Sequence, residues 1–123
     1  VPAPTALALM RSRYTAFVVG DIAHLRRSWD PLTCPAAIRA LDDRKWLGLK
    51  IKDCVAGGAE DETGEVAFVA RYKIAGRAHR LQERSRFRRV LGRWCYVDGE
   101  VAETERTRGA KAAPRSSKGT KGR

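Results

Sequence analysis

Near the amino end, the large apolar residues Leu7, Met10, Tyr14, Phe17 and Val18 recur at spacings of three, four, three and one. Such spacing traces one stripe of an amphipathic helix. Thr5 suits its N-cap and Gly20 its stop. Asp21 then caps a second helix with Ile22, Leu25 and Trp29 in line, ended by Asp30-Pro31. Pro35 fits the first turn of a short third helix over residues 35–41, with Ile38 and Leu41 turned inward.

From Trp46 the period becomes two. In WLGLKIKDCV, Leu47, Leu49, Ile51 and Val55 alternate with Gly48, Lys50 and Lys52. Gly57-Gly58 through Gly64 reads as a loop. EVAFVARYKI is a second strand with Val66, Phe68, Ala70 and Tyr72 on one face. Ala75-Gly76 turns the chain into a third strand over residues 78–90, and Leu91-Gly92 turns it into a fourth, RWCYVDG. Helices first and an antiparallel meander afterwards predict an α+β fold, with the helices covering one face of the sheet.

Composition narrows the functional classes. At 123 residues and 43% apolar, the chain fits one domain with a modest core. No run approaches the ~18 apolar residues of a membrane span, and no signal-peptide core is recognisable. A cytoplasmic bacterial protein with no membrane partner is the expectation, and Val1 in place of Met suggests a fragment or a trimmed chain. Cys34, Cys54 and Cys95 are odd in number and lack CxxC spacing. That argues against a disulfide framework or a metal site and for reduced, mostly buried thiols. The glycines match neither GxGxxG nor a phosphate-binding loop. Of the net charge of +11, +5 falls on residues 103–123, where seven basic residues accompany two acidic ones. With almost nothing apolar to bury, residues 104–123 are expected to form a disordered basic tail beyond a domain spanning 1–103.

One strand contains an anomaly. In LQERSRF, residues 81–87, the inward parity of Leu81 and Phe87 also places Glu83 and Ser85 inside. An unpaired inward carboxylate costs several kcal/mol, so it needs a partner. Arg11 and Arg13 flank the stripe of the first helix, and either one is an expected partner, with Tyr14 or Ser85 adding a hydrogen bond. Glu83 then either ties helix to sheet, lines a ligand pocket, or acts as a catalytic acid or base. Trp29, Tyr72 and Trp94 are the candidate walls around it, and Trp46 reads likewise as core or pocket wall. His24 reads as a boundary histidine and His79, near a hairpin turn, as exposed.

The opposite parity gathers cations. Lys50, Lys52, Arg71, Lys73, Arg84, Arg86 and Arg88 share the outward face. They form either a solvated surface partly neutralised by acidic loops or a site for nucleic acid or an acidic protein. No aromatic set is interleaved with them to stack single-stranded bases.

Taken in order, ALMRSRYTAFVVGD, the Trp29-Asp30-Pro31 corner, WLGLKI, EVAFVARYK, LQERSRF and GRWCYVDGE resemble the YchJ-like family of bacterial proteins over residues 5–100. The resemblance implies an NTF2-like domain, in which a bent antiparallel sheet wraps round helices to form a cone-shaped pocket. It implies no particular reaction. Many members begin with a SEC-C-like zinc-binding segment; this chain starts where that segment would end, so no zinc ligand is carried onto its residues and no cofactor is expected. Gln82 stands where a histidine is more usual, so no mechanism needing that histidine is carried over either. The expected function is a non-catalytic small-ligand or partner-binding domain, with a homodimer in keeping with the fold. Nucleic-acid binding through the basic face and tail, and an enzyme built on Glu83, are the alternatives.

Overall fold

Thr5 and Gly20 bracket the first helix as their chemistry demands. In the computed structural model, which describes residues 2–38 and 44–106, α1 runs Ala6–Val19. The Thr5 hydroxyl accepts from the Ala8 N–H at 3.1 Å, and Gly20 closes the helix in the left-handed region at φ 76. The buried stripe is Ala6, Leu9, Met10, Arg13 and Ala16, while Val18 is exposed. The helix is thus rotated from its large-residue stripe: two alanines bring its backbone close to its neighbours, and a cation takes the middle.

Asp21 caps α2, Ile22–Arg27, by accepting from the His24 N–H at 3.0 Å. This helix stops two residues short of Trp29. There the chain leaves to pair with the sheet, Asp30 N–H donating to Tyr96 O and Tyr96 N–H to Ser28 O, both at 2.8 Å. The third helix expected from Pro35 does not form over Pro35–Ile38; residues 39–41 lie outside the described residues. The Ala36 carbonyl, which a helix would use internally, accepts from Arg26 Nη2 at 3.0 Å.

Four antiparallel strands follow in sequential order: β1 Lys45–Ala56, β2 Thr63–Ile74, β3 Arg77–Val90 and β4 Arg93–Arg106. The fold class is therefore α+β, with the helices packed against a meander. Residues 104–106, expected in the tail, pair with Ala78, His79 and Arg80, so the sheet continues past 103; residues 107–123 lie outside the described residues. β1 corrects the strand pattern. Trp46 pairs with Tyr72 and Gly48 with Arg71, leaving Leu47 as a bulged residue, 51% exposed. One extra residue resets the parity, so the inner row is Trp46, Leu49 and Ile51 rather than one including Leu47. A second irregularity between Ile51 and Asp53 leaves Val55 exposed as well.

The core is built from Ala6, Leu9 and Met10 of α1, Val66, Phe68 and Ala70 of β2, Phe87 of β3 and Trp94 of β4. Between this cluster and the α1–α2 corner the packing is incomplete, and the cavity lies there.

Candidate functional site

The cavity encloses about 250 Å³. α1 contributes Met10, Arg13, Tyr14 and Phe17 to its lining; Trp29 closes the α2 side, and Trp46, Phe68, Phe87 and Tyr96 rise from the strands. Its aromatic rings meet edge to face, with centroids 5.7 Å apart for Tyr14–Trp46, 5.1 Å for Trp29–Tyr96 and 5.8 Å for Phe87–Tyr96.

Glu83 lies on the inner side of β3, opposite Phe68 of β2 and Val101 of β4, and lines this cavity with Ser85. Its Oε2 accepts from the Ser85 hydroxyl at 2.6 Å and from the Tyr96 hydroxyl at 3.0 Å. Room for that carboxylate comes from Gly99, which pairs with Ser85; a Cβ at Gly99 would overlap Glu83 Oε2. Burial, and then the neighbouring carboxylate, pushes the Tyr96 phenol well above its ordinary pKa, which keeps it protonated as a donor.

Arg13 is in the cavity wall but makes a different bond from the one expected. Its Nη1 donates to the Leu25 carbonyl at 2.9 Å and to the Ser28 hydroxyl at 2.7 Å. The end of α2 leaves carbonyls without intrahelical partners and carries the negative end of the helix dipole, so a buried guanidinium settles there. The charged head lies 4.7 Å from the Trp29 ring centroid and 4.4 Å from that of Tyr96, in cation–π range. Burial lowers its pKa to about 10, with Tyr96 and Glu83 opposing the fall, so it stays charged at neutral pH.

The remaining candidates separate. Tyr14 and Trp29 line the cavity with Arg13, Glu83 and Ser85. Arg11 is exposed on α1. Tyr72 is buried beside the cavity, 5.3 Å from Trp46 and stacked on His79 at 5.0 Å. Trp94 belongs to the core below, its indole N–H donating to the Pro4 carbonyl at 3.3 Å. His79 is not exposed as expected: the Tyr72 ring covers it, and its Nε2 is buried without a hydrogen-bond partner among the described residues. His24 sits half-buried, its Nε2 2.9 Å from the Ser12 hydroxyl, and burial followed by Arg27 lowers its pKa. Tyr96 and Gly99 were missing from the sequence reading, whereas Trp46, expected in the core or a pocket wall, does line the cavity. The available signal was Gly99, a glycine inside a strand, which marks a close approach.

The outer face is mixed rather than uniformly basic. Arg84 donates to Glu65 at 3.0 Å and Asp53 at 3.1 Å, and Arg86 to Asp98 at 2.6 Å. Arg88 grips Asp30 with two hydrogen bonds, one of them from Nη2 at 3.1 Å. Asp30 is only 1% exposed, and the hydrogen bonds from Arg88 hold its carboxyl below the usual range. Among the described residues no ion pair joins Lys50, Lys52, Arg71 or Lys73. Cys34 is half-buried, Cys54 exposed and Cys95 buried, all as free thiols.

Residues 5–99 match the family described as YchJ, middle NTF2-like domain. The chain is 51% identical over 104 residues to a UPF0225 protein of Chromobacterium violaceum, spanning 82% of this chain and 77% of that protein. It is 52% identical over 101 residues to a UPF0225 protein of Streptomyces coelicolor, spanning 82% and 78%, and 51% identical over 106 residues to one of Cupriavidus metallidurans, spanning 81% and 74%. No solved structure matches. No helix among the described residues is long and apolar enough to cross a membrane. With its α1–α2 corner, its four-stranded meander and this breadth of identity, the chain belongs to the YchJ family, whose middle NTF2-like domain it carries.

Proposed function

We propose that this domain binds a small molecule in a cone-shaped pocket between α1 and the curved sheet, without carrying out a reaction on it. The observation that supports this reading is the convergence of Arg13, Tyr96, Glu83 and Ser85 inside a cavity whose other walls, Arg44 apart, are mainly aromatic and aliphatic. A structural ion pair would be closed; here the acid and the cation are held by different neutral partners and both still line the space. Ligand sites characteristically combine apolar walls with a few convergent polar groups. In this reading the domain works in the cytoplasm, alone or as a homodimer.

The alternative of nucleic-acid binding loses support from the ion pairs of Arg84, Arg86 and Arg88. Lys50, Lys52, Arg71 and Lys73 remain for weak, sequence-independent contact with phosphates, whose affinity falls steeply with salt.

Titration with naphthalene, followed by the fluorescence of Trp29 and Trp46 and by thermal unfolding, tests the pocket. A saturable spectral change is expected. A ligand at a hundred times its Kd stabilises the fold by about 2.7 kcal/mol. Ser85→Leu, which fills the space beside Glu83, is expected to abolish both signals. Absence of any saturable response to one- and two-ring aromatic molecules would refute the pocket reading.

A further inference from the structure

The polar centre of the cavity uses only part of its hydrogen-bonding capacity. Both bonds that Glu83 accepts fall on Oε2, and among the described residues none falls on Oε1. Both bonds that Arg13 donates leave from Nη1, which keeps Nε and Nη2 for other partners. The two groups flank one ring: the Arg13 cation lies 4.4 Å from the Tyr96 centroid, and the Tyr96 hydroxyl holds Glu83. Trp29, another lining residue, has a buried indole N–H with no acceptor among the described residues. The wall thus presents an acceptor beside donors.

Charge chooses among ligands. A simple cation would be repelled by Arg13 and by Arg44, which also lines the cavity against Trp46, and a simple anion would be repelled by Glu83. A neutral edge with a donor next to an acceptor satisfies both, because it leaves no buried polar group unpaired. The walls are flat aromatic surfaces, which favour a flat guest. About 250 Å³ lies just under the range of ~300–1,000 Å³ usual for drug-sized ligands, which limits the guest to one or two rings.

We infer that the cavity recognises a neutral, planar cyclic amide of one or two rings, its N–H donating to Glu83 Oε1 and its carbonyl accepting from Arg13. This rests on the reading of the cavity as a ligand site.

The test is a two-dimensional amide NMR titration of the full chain with three probes of one shape: carbostyril, a bicyclic lactam; N-methylcarbostyril, which keeps the carbonyl and lacks the N–H; and naphthalene, which has neither. Carbostyril is expected to bind about tenfold or more tighter than either of the others, with shifts centred on β3 and β4. Glu83→Met is expected to bring carbostyril within about threefold of naphthalene. Should that variant fail to fold, the N-methylated probe still decides the matter on the native chain. Equal affinity for all three probes would overturn the amide-edge inference and leave the pocket standing. Saturation by none of them would overturn both.

Discussion

The two faces of β3 solve the same electrostatic problem in opposite ways. On the outer face Arg84, Arg86 and Arg88 each meet a carboxylate from a neighbouring segment. On the inner face Glu83 meets two hydroxyls, and the nearest buried cation, Arg13, is bonded to the end of α2 instead. The pairs of Arg84 and Arg86 are solvated and contribute little. Inner groups lie where an unmet hydrogen bond costs ~1–3 kcal/mol, so their partners are fixed one by one. The difference shows why a charge can be conspicuous on the outside and inconsequential, and inconspicuous on the inside and decisive.

The largest expected effect comes from breaking the inner arrangement at its cation. Arg13→Met keeps the length of the side chain but leaves the Leu25 carbonyl and the Ser28 hydroxyl short of a donor. It is expected to cost about 3 kcal/mol in urea unfolding. A loss under about 1 kcal/mol would show that α2 and the sheet hold together without it.

Next comes the one outer pair that is not solvated. Asp30 is buried while its partner Arg88 is partly exposed, so Asp30→Asn is expected to cost about 2 kcal/mol. Its pKa in the folded state is depressed. The stabilisation is therefore fully present above the unfolded carboxylate value of about 3.9 and disappears as pH falls through the lower folded value. Acid unfolding of the native chain should steepen below about pH 4, and the Asn variant should lack that component. Identical acid profiles for the two chains would contradict the assignment.

The smallest effect is expected at the solvated pairs. Arg86→Gln removes the bond to Asp98 and should change stability by less than about 0.5 kcal/mol. A loss comparable to that of Asp30→Asn would erase the contrast between the pairs.

How much of this was legible follows the same division. Thr5, Gly20 and Asp21 act locally, and each cap is where its residue type places it. The alternation of β2 and β3 holds because one face is buried along its length, and it placed Glu83 and Ser85 inside. The Arg13 bonds were not legible, since they depend on where α2 ends in space. Nor was Tyr96. Val97 is the extra residue where Arg86 pairs with Asp98 and Phe87 with Tyr96, so the parity of β4 changes inside the strand. Bulges are set by tertiary fit, and a period of two does not announce them.

The bulge at Leu47 makes β1 one letter longer than its partner requires. Removing that letter leaves the reading frame of the strand intact: Trp46 still opposes Tyr72, Gly48 still opposes Arg71, and Leu49 and Ile51 keep their faces. What would change is the kink, and with it the tilt of Trp46 against Tyr14, Phe17 and Tyr72. A deletion, ordinarily the most disruptive edit to a sheet, becomes here a dial on one wall of the cavity that changes the identity of none of its lining residues.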